Sequence, residues 1–287
     1  MMSHTSNLDF HHHLLDLAEA MRPLPTTVVR LASVIADENS HITEVTSILR
    51  EDPSLVAGLL RESNSAASAP SSDIVTVEAA IMRLGLARVL AIATNAAMKG
   101  TEAQKALPAY GLGAGGLWEH SIMCSYVAEA IYRKMPRTVG AEVVTAALLH
   151  DIGQIVLDKV LDPRHFQMAR TTNLLVTTAE RELVEVDHAE LGALLLELWD
   201  IPHSITDAVR YHHEPVMGDG LMAHVVFVAN IVSHDFDEDW PERTDEQDAL
   251  LEASLNELGI DYDEILSLAT RMLERIGLIK DPDADLD

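Results

Sequence analysis

Apolar positions recur three and four residues apart along almost the whole chain, the spacing of one face of an α-helix. In 24–36, LPTTVVRLASVIA, Val28, Leu31 and Ile35 share a face after a Pro-bracketed start. Ser40 is placed to cap a second helix carrying Ile42, Val45, Ile48 and Leu49. Asp52-Pro53 reads as a restart, an N-cap followed by a proline suited to the first turn, with Leu55, Val56, Leu59 and Leu60 behind it. The small, polar stretch 61–75 reads as a loop. Thr76 then caps a helix bearing Val77, Ala80, Ile81 and Leu84, which Gly85 ends, and another follows over 86–98. The break LPAYGLGAGG at 107–116, with Pro108 and four glycines, is the expected joint between two helical subdomains. Five helical segments are expected from there to about residue 234. The acidic stretch 235–248 reads as a solvated connection, and 248–278 holds enough leucine and isoleucine for two terminal helices. The expected fold class is therefore all-α and two-lobed. Its divisions are residues 20–106, 107–234 and an acidic extension over 235–287.

Composition narrows the function. Hydrophobic residues make up 48% of the 287, which excludes global disorder, and aromatics only 4%, which favours helix over sheet. Twenty Lys and Arg stand against 46 Asp and Glu, a net charge of −26. That balance argues against nucleic acid and against an anionic membrane, since both require a basic surface. Residues 235–287 alone hold 18 acidic and four basic side chains, read as a solvated face and tail. No signal peptide or spanning run appears, so a cytoplasmic protein is expected. The single cysteine, Cys124, excludes a disulfide framework and a cysteine-based zinc site, and on its apolar face it reads as buried and inert. The triplet His11-His12-His13 is a weak metal candidate, because consecutive helical residues point in different directions.

Histidine is the anomaly. There are 14, and nine fall between His120 and His234. On helical phase His120 lies with Met123, Cys124, Val127 and Ile131, and His150 with Val143, Ala146 and Ala147. His188 lies with Leu191, Leu195 and Leu198, and His212 with Ile205, Ala208 and Val209. One such histidine is most often a core residue satisfied by a hydrogen bond. Four in under 100 residues each need a partner, at about 1–3 kcal/mol if left without one. A shared metal would satisfy several, and imidazole with carboxylate suits zinc, iron, manganese or nickel. Asp151 adjoins His150 and His213 adjoins His212. Taken alone, Asp151 is equally an aspartate bonding backbone N–H groups near a helix end.

The string LLHDIGQ at 148–154 resembles the His-Asp doublet of the HD phosphohydrolase superfamily. WEHS at 118–121 precedes it, and VDHAELGALLLELW at 186–199 and RYHHEP at 210–215 follow. Ahead of these, residues 24–35, 48–66 and 77–90 resemble the first half of the HDOD family, the HD-related output domains of bacterial signalling. Asp52-Pro53, Asn64-Ser65-Ala66, Ala80-Ile81 and Leu84-Gly85 are the positions that carry this likeness, which covers about residues 20–235. It implies a two-lobed all-α fold whose second lobe is a degenerate relative of HD and HD-GYP phosphohydrolases. It further implies one or two divalent transition metals (Fe, Mn, Ni or Zn) held by His120, His150, Asp151, His188, His212 and His213.

The chain departs from the HD-GYP pattern in three places. Asn230 stands where a ligand aspartate is expected, Gln154 where a phosphate-contacting lysine is expected, and the Gly-Tyr-Pro loop is absent after His213-Glu214-Pro215. The metal-holding half of the machinery is better preserved than the phosphate-holding half. Two functions follow as expectations. The first is a non-catalytic signalling output module that works through a protein partner. The alternative is a metal-dependent phosphohydrolase, acting on a nucleotide, cyclic dinucleotide or phosphomonoester, with Asp151 as its catalytic residue.

Overall fold

The computed structural model describes residues 13–37, 39–65, 73–135, 139–164, 176–237 and 243–279. His11, His12 and the centre of the loop read at 61–75 lie outside them. Residues 13–19 are helical. Five helices follow before the glycine-rich break: α1 (Thr26–Ala36), α2 (Ile42–Arg50), α3 (Pro53–Ser63), α4 (Val77–Leu84) and α5 (Leu86–Met98). Then come α6 (Gly116–Tyr132), α7 (Val143–Leu149), α8 (Gln154–Leu157), α9 (Val176–Val184), α10 (His188–Leu198), α11 (His203–Arg210) and α12 (Met222–His234). The chain closes with α13 (Asp245–Leu258) and α14 (Tyr262–Ile276). No strand occurs among the described residues beyond one isolated bridge between Leu107 and Leu112, so the fold is all-α.

The helix starts follow local chemistry where a side chain can reach the first free N–H groups. The Asp52 carboxylate accepts from the N–H groups of Ser54 and Leu55, and the Thr76 hydroxyl accepts from that of Ala79. Gly85, at φ 82°, ends α4 and opens α5 in a conformation that side chains rarely adopt. Ser40 is not a cap: α2 begins one residue later, after His41, with no side-chain cap bond. Residues 61–63, read as loop, complete α3. Asn64 then clasps the far side of that loop, donating to Ile74 O at 2.7 Å and accepting from Ile74 N at 2.8 Å.

The segment 107–116 is well anchored. Leu107 and Leu112 exchange backbone hydrogen bonds of 2.9 and 3.1 Å, and Ala109 N donates to Asp158 at 2.8 Å. Leu107, Ala109 and Tyr110 are buried, and Gly115, left-handed at φ 87°, turns the chain into α6. Seven described helices, not five, span 116–234, because short α8 and α9 intervene. Helices α6 and α12 are apolar on nearly every side and form the centre, packed against each other and against α7.

The acidic end is only partly a solvated tail. A Thr244–Gln247 capping box starts α13 at Asp245, so Asp245, Glu246 and Asp248 form a first helical turn, where acidic side chains suit the helix dipole. Leu251, Leu258, Ile265, Ala269 and Leu273 are buried, α13 against α12 and α14 against α6. No helix of the described residues is long and apolar enough to cross a membrane.

Candidate metal centre

Each of the six residues singled out in the sequence reaches one buried cluster, but their placement differs from the helical-face reading. Only His120 sits within a helix body, on α6. His150 is the C-cap of α7, His188 is the first residue of α10, and His212 and His213 follow the end of α11. Leu198, read on the inward face of His188, is 46% exposed, although Leu195 and Leu196 just before it are fully buried.

Gly153 explains how the His-Asp doublet meets α10. A Cβ there would come within 2.0 Å of His188 O and 2.6 Å of Gly192 N. With hydrogen in that place, the turn after α7 lies directly on the first turn of α10, and Asp151 faces His188.

Asp151 is the hub. Its Oδ1 lies 3.1 Å from His188 Nε2 and 3.6 Å from His212 Nε2, and its Oδ2 lies 3.3 Å from His150 Nε2 and 3.9 Å from His120 Nε2. His213 Nε2 sits 3.0 Å from His188 Nε2. Asp151, His150, His188 and His212 are buried; His120 and His213 are partly open at the edge. Asp151, His188, His212 and His213 each present a donor atom within 4.8 Å of the others, and His120, His150 and Asp151 form a second such group. Asp151 belongs to both.

The outer ring nitrogens fix these orientations. His150 Nδ1 lies 2.8 Å from Ala147 O, and His212 Nδ1 2.6 Å from Val209 O. A carbonyl only accepts, so both Nδ1 atoms carry the proton and both Nε2 atoms face Asp151 with lone pairs. His188 Nδ1 donates to Glu180, 2.8 Å from Oε2, and the His188 backbone N–H donates to the same carboxylate at 2.9 Å. Tyr110 OH donates to Glu180 Oε1 at 2.6 Å. His120 Nε2 donates to Asn230 Oδ1 at 3.0 Å, and the His234 ring stacks on His120 with centroids 4.6 Å apart.

Electrostatics follow. Burial works against the charge on Asp151, but the imidazoles of His150, His188 and His212 hold its carboxyl well below the usual range. Burial likewise opposes a charge on His188, yet Glu180 and Asp151 raise it well above the ordinary histidine value. Burial, reinforced by neighbouring imidazoles, pulls His120 and His212 down to about 4 and His213 well below its usual value. The cluster is built around a positive charge at its middle, supplied by a proton on His188 or by a cation.

The residues present fit a metal ion. His150 Nε2 is buried and makes no aligned hydrogen bond, although Asp151 Oδ2 is 3.3 Å away. Such an orphan costs about 1–3 kcal/mol, and a cation between His150 and Asp151 would remove that cost. The pairing of inward lone pairs with carbonyl- or carboxylate-bonded Nδ1 atoms is the arrangement of metal-binding histidines.

Comparison with known proteins gives the family and the fold. The HDOD domain profile matches residues 21–215. The chain belongs to the HDOD family. A protein of Treponema pallidum (strain Nichols) is 20% identical over 208 residues, 70% of this chain and 39% of its own length. An HDOD domain protein from Geobacter sulfurreducens superposes with a TM-score of 0.66 at 20% identity, covering 96% of this chain and 97% of that one. A candidate phosphohydrolase from Shewanella amazonensis SB2B gives 0.61 at 23% identity, covering 92% and 95%. A candidate signal transduction protein from Marinobacter aquaeolei VT8 gives 0.69 at 22%, covering 96% of this chain but 64% of its own. The HDOD chain thus spans 39% of the Treponema relative and just under two thirds of the Marinobacter one. At these identities the solved structures establish the fold alone.

Three members of the centre were absent from the sequence reading. Glu180 had a signal, since it lies between buried Thr177 and Val184 on the inward face of α9. His234 had one as well, a single turn beyond Asn230 on α12. Tyr110 had none, because the glycine-rich break concealed a buried phenol.

Proposed function

We propose that this HDOD protein is a bacterial, cytoplasmic signalling output module that holds a divalent transition metal in a closed centre and acts through a protein partner rather than by turnover. The observation that supports this most is the burial of four of the six proposed ligands. Asp151 is 7% exposed, and His150, His188 and His212 are 0–1% exposed. A metal site that works on a substrate keeps an open coordination position, whereas a structural one is closed. No lysine or arginine of the described residues pairs with Asp151 or its five histidines, and Gln154 and Asn230 stand where the HD-GYP pattern has charge. The residues that would hold the ion are Asp151, His188, His212 and His213, with His150 and His120 on the other side of Asp151. A bound ion would supply Lewis acidity and a fixed positive charge at that point. The chain's own residues orient the ring nitrogens and exclude water. The division into residues 20–106, 107–234 and 235–287 is part of the same proposal.

A second reading, a metal-dependent phosphohydrolase, draws on Asp151's membership of two donor groups, the arrangement of a carboxylate shared by two ions. One experiment separates the two. The chain, purified without added metal or chelator, is analysed for Mn, Fe, Ni and Zn. It is then incubated with cyclic dinucleotides, nucleotides and generic phosphoesters. The output reading expects a stoichiometric metal and no hydrolysis. Turnover near 1 per second that vanishes in Asp151→Ala would establish the hydrolase instead. Absence of metal in the wild-type chain, with no gain on reconstitution, would remove the centre altogether.

A further inference from the structure

Six of the chain's 20 basic residues gather in one place, outside the His-Asp cluster. A cavity of about 670 Å³ opens between the C-terminal end of α6 and the face of α14, with Arg133 and Lys134 on one wall and Arg271 and Arg275 on the other. A second cavity of about 230 Å³ adjoins it, shares Arg133, Met272 and Arg275, and adds Arg83 and Arg88 from the N-terminal helices. Glu62, Glu129 and Glu274 also line these cavities, and Glu264 pairs with Lys134. Six cations against four carboxylates leave a local positive surplus in a molecule whose net charge is −26.

The cations are not equally engaged. Arg88, its side chain 12% exposed, bonds Glu62 at 3.1 Å and lies over the Tyr126 ring at 3.8 Å. Arg133 bonds the buried Glu129 at 2.5 Å. Arg271 bonds only the Ser267 hydroxyl, at 2.5 Å, and Arg275 has no ion pair or hydrogen bond among the described residues. Arg271 and Arg275 are exposed and stand four residues apart on α14, the spacing at which like charges repel. An anion between them would reverse that repulsion. The rest of the larger cavity is apolar, with Ala130, Leu268 and Met272 beside the guanidinium groups.

We propose that this cleft binds a phosphorylated small molecule of the nucleotide class. Its phosphates lie between Arg271, Arg275 and Arg133, and its planar or apolar body rests on Met272 and Leu268. Planar guanidinium groups match the paired oxygens of phosphate. The volume falls within the roughly 300–1,000 Å³ of small-molecule sites. The cleft is walled by α6 and α14, with α4 and α5 lining the smaller cavity beside it, so its occupant lies between the centre and the C-terminal extension.

The test uses the full chain in excess chelator, so that no metal-held ligand contributes, with ADP, adenosine and pyrophosphate titrated calorimetrically. ADP is expected to bind in the micromolar range, with adenosine and pyrophosphate each at least tenfold weaker. In the double variant R271A/R275A ADP binding should fall at least tenfold while the melting temperature holds, since both side chains are exposed. Absence of ADP binding, or ADP binding unchanged in the double variant, would overturn the proposal. Pyrophosphate binding as tightly as ADP would overturn the nucleotide class. Binding of a polyglutamate peptide without ADP would assign the cleft to an acidic protein. Each outcome is read without metal, so none depends on the proposed metal centre.

Discussion

Helix α6 joins two regions that treat charge in opposite ways. Near its start, His120 enters a cluster where one carboxylate meets five imidazoles. Past its end, Arg133 and Lys134 enter a cleft rich in guanidinium groups. Thirteen residues separate His120 from Arg133, about 20 Å along a helix. At the buried end the principal charges have partners within 4 Å and the outer ring nitrogens of His150, His188 and His212 are tied down. At the open end Arg271 and Arg275 have no carboxylate partner among the described residues. Burial accounts for the difference. Inside, an uncompensated charge is expensive and the fold must complete each set; at the surface, water screens a surplus and leaves it available to a ligand.

The largest effect should therefore come from the buried end. Asp151→Ala is expected to abolish bound metal and to destabilise the fold by about 3 kcal/mol, the order found when one partner of a buried ion pair is removed. Elemental analysis and denaturant unfolding measure the two effects. R271A/R275A should leave metal content unchanged and alter stability by less than about 0.5 kcal/mol. Equal losses from the two variants would break the contrast between the ends.

Gly153→Ala comes next. The added Cβ would have to displace α10 from a backbone oxygen 2.0 Å away, a rigid neighbour. A loss of about 2 kcal/mol, with reduced metal content, is expected from such overpacking. Gly58→Ala on α3 is the control, because nothing lies within 4 Å of its added Cβ. There a gain of about 0.5–1 kcal/mol is expected, since glycine weakens a helix interior.

Proton uptake sharpens the account of the centre. Glu180 and Asp151 raise His188 well above the usual histidine value, against burial, so the metal-free chain holds its proton at pH 7. A cation at Nε2 must displace that proton. Falling pH therefore weakens metal binding once it passes below the raised His188 value, with about one proton released per ion. His120 and His212, held down to about 4, contribute nothing to that slope because their rings are neutral at pH 7. Calorimetry in buffers of differing ionisation enthalpy counts the proton. Glu180→Gln should flatten the slope; an unchanged slope would show that the proton resides elsewhere.

These regions also differ in how far the sequence disclosed them. Helical periodicity and the caps at Asp52, Thr76 and Gly85 identified the all-α fold, because those signals are local. Ser40 misled, since packing and not a side-chain cap sets the start of α2. The acidic run after 235 hid the Thr244–Gln247 capping box, because net charge reports the outward surface only, whereas the leucines of 248–278 announced the two terminal helices. All six proposed ligands were legible, four of the histidines from their helical phase and the full set, with Asp151 and His213, from the resemblance to the HD pattern. Glu180 and Tyr110 were not, because their pairing with His188 depends on how segments far apart in sequence pack. The basic cleft was illegible for the same reason. Arg83 and Arg88 meet Arg275 only because α14 packs beside the N-terminal helices.

Cys124 gives the smallest expected effect and reports on α6 between its two ends. It lies one turn beyond His120, its sulfur is wholly buried, and it forms no disulfide. Burial, reinforced by the negative charge of Asp151, raises its thiol well above the usual range. Only the thiolate attacks a disulfide reagent, and a raised pKa leaves almost none at pH 8. Ellman's reagent should therefore label native protein negligibly over an hour and label urea-unfolded protein stoichiometrically. ADP in the cleft and metal at Asp151 should leave that rate unchanged, because neither requires α6 to open around Cys124. Labelling within minutes would show that α6 separates from α12 in the native state. Labelling accelerated by ADP alone would show that occupancy of the cleft reaches the His-Asp centre through this helix.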